Sequence, residues 1–396
     1  MPALKELFFK HIAQTSENPL LLEIEYAKGI YLFNKSGKSY IDLISGVSVS
    51  SIGHSHPKVI DAVIEQTRKN MHLMVYGEYV QYPQVKLATK LAELTNQQLD
   101  SVYFVNSGSE AVEGALKLAK RFTCKKEIIA CKNAYHGSTH GAFSLINHKE
   151  YTQKFEPLLD GVSFINFNHP EDAGLITNKT ACVIIEPIQG EAGCIPATFN
   201  FLQSIRNICD KTGTLLIFDE VQTGMGRTGS FFAYQYYNII PDIIVLAKAF
   251  GGGMPLGAFA ASKKIMNCLS NNPALGHITT FGGHPVSCAA SLAAINVIEN
   301  DKLIEHLAEK EKLFRELLKH EKIKEVRGKG LLLAVQLDSY ETVKKCISYC
   351  LSKGVITDWF LFCNSALRIS PPLIISEEQI RFSCKIIIDS LDCLRI

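Results

Sequence analysis

The period of the hydrophobic positions changes along this chain, and each change marks a different kind of local structure. Residues 3–13 have the spacing of a short helix. Two β-rich runs follow, 29–33 and 38–44, on either side of the turn composition Asn34-Lys35-Ser36-Gly37, so a hairpin is expected. From about residue 55, helical stretches alternate with short runs that are apolar at nearly every position: 102–105, 127–130, 181–185, 214–218 and 242–247. A strand without a polar face is buried on both sides, as in a parallel sheet between two layers of helices. From about 296 the pattern is mixed, with a charged helix over 300–319, strands near 330–337 and 366–369, and a last helix from Glu377. The expected fold is α/β. A large domain over 55–295 holds a mostly parallel sheet. A smaller α+β domain is built from both ends, 1–54 and 296–396, with no Pro/Ser-rich linker between them.

Composition narrows the classes of function. The chain has 396 residues, 47% hydrophobic and 20% charged, the balance of a folded protein too long for one ordinary domain. A net charge of +2 gives no general attraction to nucleic acid or anionic membranes. No apolar run approaches the roughly 18 residues of a membrane span. Lys5, Glu6 and Lys10 interrupt the short apolar stretches at the start, unlike a secretory leader. A cytoplasmic protein is expected. The twelve cysteines are scattered from Cys124 to Cys393 with no C-x-x-C pair. Cys346 and Cys350 share a helix face, but no second pair completes a metal site, so reduced, buried thiols and no metal are expected.

Ligands of open α/β sheets gather beyond the carboxyl ends of the strands, and those ends carry unusual residues here. Run 102–105 leads into Asn106-Ser107-Gly108-Ser109-Glu110 and an Ala-rich helix. Small residues and hydroxyls at a helix start suit a phosphate, although an ordinary Ser cap reads the same way. Run 181–185 ends in Glu186, 214–218 in Asp219-Glu220, and 242–247 in Lys248 followed by Ala249 to Gly253. A buried Asp needs a cationic partner. A desolvated Lys gives up its proton more readily, as a Schiff-base nucleophile must, and a buried salt bridge is the alternative.

Other motifs fail on context. The apolar run into Asp219-Glu220 imitates the metal-binding strand of a P-loop ATPase, but the Gly its phosphate loop needs before Gly37-Lys38-Ser39 is Leu32. Gly224 to Gly229 matches a dinucleotide pattern without the tight strand–turn–helix context. His136 and His140 have zinc-helix spacing without the intervening Glu, and His54 and His56 fall in a loop.

Five strings, in order, carry a resemblance: Phe104-Val-Asn-Ser-Gly-Ser-Glu-Ala, Tyr135-His-Gly-Ser-Thr, Glu186-Pro-Ile-Gln-Gly-Glu-Ala-Gly, Phe218-Asp-Glu-Val-Gln-Thr-Gly-Met-Gly-Arg-Thr-Gly and Leu246-Ala-Lys-Ala-Phe-Gly-Gly-Gly-Met-Pro. With Thr279-Thr-Phe-Gly-Gly-His-Pro and Leu367-Arg-Ile-Ser-Pro-Pro-Leu, they resemble the class III pyridoxal-phosphate aminotransferases from Gly29 to the last helix. The acetylornithine/ornithine and 4-aminobutyrate branch is the most similar. The resemblance implies the fold type I architecture of pyridoxal-phosphate enzymes. Lys248 would carry the cofactor through its ε-amine and then move the substrate proton, with Asp219 pairing the pyridinium nitrogen. Ser107, Gly108 and Ser109 would hold the phosphate, joined by Thr280 from the other subunit, which implies a homodimer with shared active sites. Tyr135 would stack on the ring with His136 beside it, and Val221 and Gln222 would meet the other face and the hydroxyl edge. Arg368 would clamp the α-carboxylate of glutamate or 2-oxoglutarate, and Glu191 would pair with that arginine when the other substrate is bound.

Ser138 departs from the family, which has Arg there to hold the far carboxylate of the amino donor. Val47 stands at a donor-selecting position. Tyr76, Glu78, Tyr79 and Tyr82 lie in a segment that lines the substrate entrance, where Glu78 is either a site for a distal ammonium or a solvated surface acid. The resulting expectation is a ping-pong aminotransferase that moves an ω-amine from a small amino acid or amine to 2-oxoglutarate. The donor would lack a carboxylate that needs residue 138, as a diamine or a lysine-like compound does. The alternatives are an acetylornithine or 4-aminobutyrate aminotransferase proper, a racemase, mutase or decarboxylase of the same fold, a nicotinamide dehydrogenase, and a non-catalytic binding protein.

Overall fold

The computed structural model describes residues 4–75 and 77–393. After a short helix, Leu4–His11, the chain forms β1 (Ile24–Lys28), β2 (Tyr31–Asn34) and β3 (Ser39–Asp42), paired antiparallel. The β2–β3 turn is the expected one. Asn34 Oδ1 accepts the N–H groups of Ser36 at 3.1 Å and Lys38 at 2.9 Å, so the Asn side chain templates the reversal.

The central sheet comprises β4 (Ser101–Val105), β5 (Glu127–Cys131), β6 (Val162–Ile165) and β7 (Thr180–Ile185). A two-stranded ribbon, β8 (Ile188–Gln189) and β9 (Ile195–Pro196), precedes β10 (Leu215–Asp219), β11 (Ile243–Leu246) and β12 (Gly257–Ala261), which complete the sheet. Its order is β4-β12-β11-β10-β7-β5-β6, parallel except for β12, which runs against both neighbours. The continuous apolar runs arise because each strand feeds two cores. Ile128, Cys182, Ile184, Leu215 and Ile217 face the helix Gly108–Thr123. Ile129, Val183, Ile185, Leu216 and Phe218 face the opposite layer, which includes the helices Tyr82–Leu94, Phe199–Thr212 and Pro285–Asn300.

Strands β6 and β12 carry no strong sequence signal. β12 is Gly-Ala-Phe-Ala-Ala, poor in β-branched residues, and is held by pairing on both edges. Its Phe259 fills the space over Gly114, where a Cβ would strike the ring.

The remaining strands are β13 (Glu325–Lys329), β14 (Leu332–Gln336), β15 (Val355–Ile356), β16 (Trp359–Phe360) and β17 (Cys363–Ile369). β13, β14, β17 and β16 form one sheet, while β15 pairs in parallel with β3, Val355 against Ile41. Ile30, Ile41 and Leu43 share a core with Leu333, Val335, Leu367 and Ile369, so residues from both ends of the sequence make one smaller α+β unit. The helix expected over 300–319 begins at Leu307 and ends at Leu317. Residues 301–306 are turns with Lys302 at φ 51°, which separates this helix from Pro285–Asn300.

Candidate active site

The carboxyl ends of β4, β10 and β11 open onto a cavity of about 390 Å³. Asn106, Ser107, Gly108 and Ser109 form one wall, Tyr135, His136 and Gly137 a second, Asp219, Val221 and Gln222 a third, and Lys248 closes it with Met254 and Leu256. Ser107 is also the ordinary N-cap of the helix Gly108–Thr123, its Oγ accepting from Glu110 N–H at 3.2 Å. The Gly108 and Ser109 N–H groups lie in the first turn, where the helix supplies no acceptor, and are placed to receive an anion. A Cβ on Gly108 would press Val221 at 3.3 Å, and one on Gly137, at φ 132°, would strike Ser109 Oγ. Both glycines keep the backbone close to the cavity. Ser109 Oγ accepts from Ser138 N–H at 2.9 Å, so its own hydrogen is left to donate.

Asp219 ends β10, 4% exposed. Its Oδ1 accepts from Val221 N–H at 3.0 Å and its Oδ2 lies 2.7 Å from His136 Nδ1. Burial alone would lower the pKa of His136; the hydrogen bond and charge of Asp219, with Glu186 beyond, outweigh it and raise the imidazole above its ordinary value. His136 is thus held by Asp219 in the cavity wall, next to Tyr135. His140 turns away and bonds Pro157 O at 2.8 Å, so the paired-histidine spacing makes no metal pair.

Lys248 follows β11 at φ 52°, a left-handed conformation that an L-residue adopts only when its surroundings impose it. Burial lowers its ammonium pKa, opposed by the negative charges of Glu191, Asp219 and Glu186 and reinforced by Arg368. Glu186 accepts from the N–H groups of Tyr135 and Gly190, both at 3.0 Å, and burial pushes its carboxyl up to about 7. This strand-end acid is visible in the sequence, yet its place in the cavity wall depends on those two N–H groups.

Arg368 and Glu191 are brought together, 3% and 7% exposed. Arg368 Nη2 donates to Glu191 Oε1 at 3.0 Å and Oε2 at 2.9 Å. Gln222 joins this pair to the cavity, its Nε2 donating to Glu191 Oε1 at 3.2 Å. Burial alone would raise the Glu191 carboxyl; the charge and hydrogen bonds of Arg368 outweigh it and hold the carboxyl below its ordinary value.

Six further candidate residues lie outside the cavity walls. Val47 does not line the cavity; Val49 does. Ser45, Gly46, Val47 and Ser48 all have φ between 47° and 64°, one turn of left-handed helix. Asp42 Oδ1 stabilises that turn by accepting from Ile44 and Ser45 N–H at 2.8 Å each, and the reversal presents Val49. Ser138 is exposed at the rim, its Oγ 2.9 Å from Tyr135 Oη. Thr280 is exposed on a loop outside the cavity walls. Glu78, Tyr79 and Tyr82 are also exposed and outside them, and Tyr76 lies outside the described residues.

The family model for aminotransferase class III matches residues 12–391. The chain belongs to the class III aminotransferases. Among curated relatives, the acetylornithine aminotransferase of Archaeoglobus fulgidus is 38% identical over 382 residues, 96% of this chain and 98% of that protein. That of Methanocaldococcus jannaschii is 41% identical over 89% of each. A transaminase from the marine bacterium Virgibacillus superposes with a TM-score of 0.93 over 99% of each chain at 26% identity.

Class III aminotransferases depend on pyridoxal phosphate, and the cavity fits it. An anion socket, a buried carboxylate, an amine and two glycine-thinned walls surround one space. The racemase, mutase, decarboxylase and non-catalytic readings give way to a transaminase. The dehydrogenase reading also loses its motif, because Gly224 to Gly229 open no helix and enclose the buried side chain of Arg227. Among the described residues, no helix is long and apolar enough to cross a membrane.

Proposed function

We propose that this class III aminotransferase moves the ω-amino group of an acetylornithine-type donor to 2-oxoglutarate in two half-reactions at one site. The observation that carries this reading is Glu191 seated on Arg368. While that pair is closed, a donor enters amine-first with no clamp for an α-carboxylate; once it opens, Arg368 receives the α-carboxylate of glutamate or 2-oxoglutarate.

Pyridoxal phosphate, when bound, supplies the electron sink that acidifies the C–H beside the transferred nitrogen. Ser107, Gly108 and Ser109 would hold its phosphate, and Asp219, steadied by His136, would pair with its ring nitrogen. Tyr135 and Val221 would hold the ring between them, and Gln222 would bind its hydroxyl group. Lys248 Nζ, with its pKa lowered by burial, is the attachment point and the base that takes and returns the proton. Thr280, on an exposed loop, serves the site of a second subunit in a homodimer.

The curated relatives support the acetylornithine reading better than the diamine-type donor first expected. Ser138 favours the second reading. Among the described residues, Lys248 is the only Lys or Arg lining the cavity, so nothing there replaces the missing rim arginine. The test is the visible spectrum of the loaded enzyme on adding N-acetylornithine or pentane-1,5-diamine, with L-glutamate as control. Bleaching of the yellow band by glutamate and N-acetylornithine supports the proposal. Bleaching by glutamate and the diamine alone selects the second reading, and a band indifferent to all three overturns both.

A further inference from the structure

Arg368 is held unevenly. Nη2 donates to both oxygens of Glu191 and reaches Trp359 O at 3.4 Å. Nε donates to Asp358 Oδ1 at 2.9 Å. Nη1 is buried and, among the described residues, has no hydrogen-bond partner. The strongest guanidinium–carboxylate pairs use two nitrogens, one for each oxygen. Glu191 uses one, which leaves the N–H groups of Nη1 unspent. An incoming carboxylate that takes both Nη1 and Nη2 gains hydrogen bonds that Glu191 does not make, so Glu191 is a replaceable partner.

Asp358 is placed differently. It stands just before β16, and its carbonyl accepts from Arg368 N–H at 2.8 Å, so backbone and side chain of the two residues are tied together. Thr357 Oγ1 adds a bond to Arg368 O at 2.6 Å, and the guanidinium lies 4.3 Å from the centre of the Phe360 ring. The β16–β17 hairpin also grips Glu191, through Leu361 N–H to Oε2 and Phe362 N–H to the backbone carbonyl, both at 3.0 Å.

We infer that Asp358 is a positioning residue for carboxylate exchange: it holds Arg368 by Nε while Glu191 leaves, so that Nη1 and Nη2 are already aimed at the arriving α-carboxylate. Preorganised donors need no rearrangement when the ligand arrives, and affinity rises accordingly. The inference rests on Arg368 being the α-carboxylate clamp.

The test compares Asp358→Ala with Asp358→Asn, whose amide oxygen still accepts from Nε. Glutarate binding to the loaded enzyme is measured by calorimetry, because glutarate offers the two carboxylates of glutamate and no reactive group. Single-turnover rates are measured with L-glutamate, and with N-acetylornithine or, where that does not react, pentane-1,5-diamine. Asp358→Ala is expected to weaken glutarate and glutamate about tenfold or more, Asp358→Asn less than about threefold, and neither to change the donor half-reaction by more than about twofold. Unchanged glutarate affinity in Asp358→Ala overturns the inference. So does an equal loss in both half-reactions, which marks a structural role, or an Asn variant as weak as the Ala variant, which marks charge rather than orientation. Wild-type enzyme that neither binds glutarate nor reacts with glutamate removes the clamp reading of Arg368 and this inference with it.

Discussion

His136 Nδ1 stands 2.7 Å from Asp219 Oδ2, both side chains shut away from solvent. Asp219 raises the folded pKa of His136, so the stabilisation from this link is fully present below the ordinary imidazole value of 6.5 and is lost as pH rises through the folded one. His136→Asn is therefore expected to lower the melting temperature most in mildly acidic buffer and least in alkaline buffer. Paired thermal melts of wild type and variant from pH 5.5 to 9.5 check this, and a difference independent of pH would contradict it.

Lys248→Arg keeps the charge but presents a guanidinium that does not lose its proton at any accessible pH. Turnover is expected to fall by at least about 10²–10⁴-fold, the usual contribution of a positioned proton-transfer group. Borohydride treatment followed by peptide mass analysis should attach cofactor to residue 248 in the wild type and not in the variant.

Gly137→Ala places a Cβ against Ser109 Oγ at φ 132°. Strain of this kind costs about 1–3 kcal/mol, so cofactor affinity should fall roughly 5- to 150-fold if Ser109 is displaced to relieve it. Fluorescence titration of the stripped enzyme with pyridoxal phosphate measures the change. Unaltered affinity would mean that Ser109 does not need its present place.

Arg227, fully buried, donates through Nη1 to Leu331 O at 3.1 Å and to Pro371 O, and through Nη2 to Ser51 Oγ at 2.9 Å. Among the described residues no carboxylate bonds it, and burial disfavours its charge. Arg227→Met keeps most of the volume but strands those carbonyls. A loss of about 1–3 kcal/mol for each stranded carbonyl is expected in urea unfolding, the cost of leaving a buried acceptor unpaired.

The architecture was legible where one physical cause dominated. Strands β5, β7, β10 and β11 show as apolar runs because their two faces enter different cores. Asp219 and Lys248 stood out because ionisable groups at the ends of such runs need a reason to be there. β12 stayed hidden, since its stability comes from neighbours on both edges and not from its own residues. Val47, which the resemblance singles out, lies off the cavity walls where Val49 stands, after four consecutive left-handed residues that reverse the chain, an event no periodicity announces. Asp358 gave no signal: its meaning depends on a hairpin that folds it back onto a residue ten positions later.

The pairing of β3 with β15 bears on how the protein is made. Ile41 and its partner Val355 are separated by roughly 300 residues, and at about 5–20 residues per second a ribosome needs some 15–60 s to bridge them. The first hairpins can form at once, but the outer edge of β3 stays unpaired throughout that interval, a bare strand open to any neighbouring chain. The smaller unit therefore assembles only after the large sheet has emerged, and the nascent chain is most exposed to misassociation at its beginning.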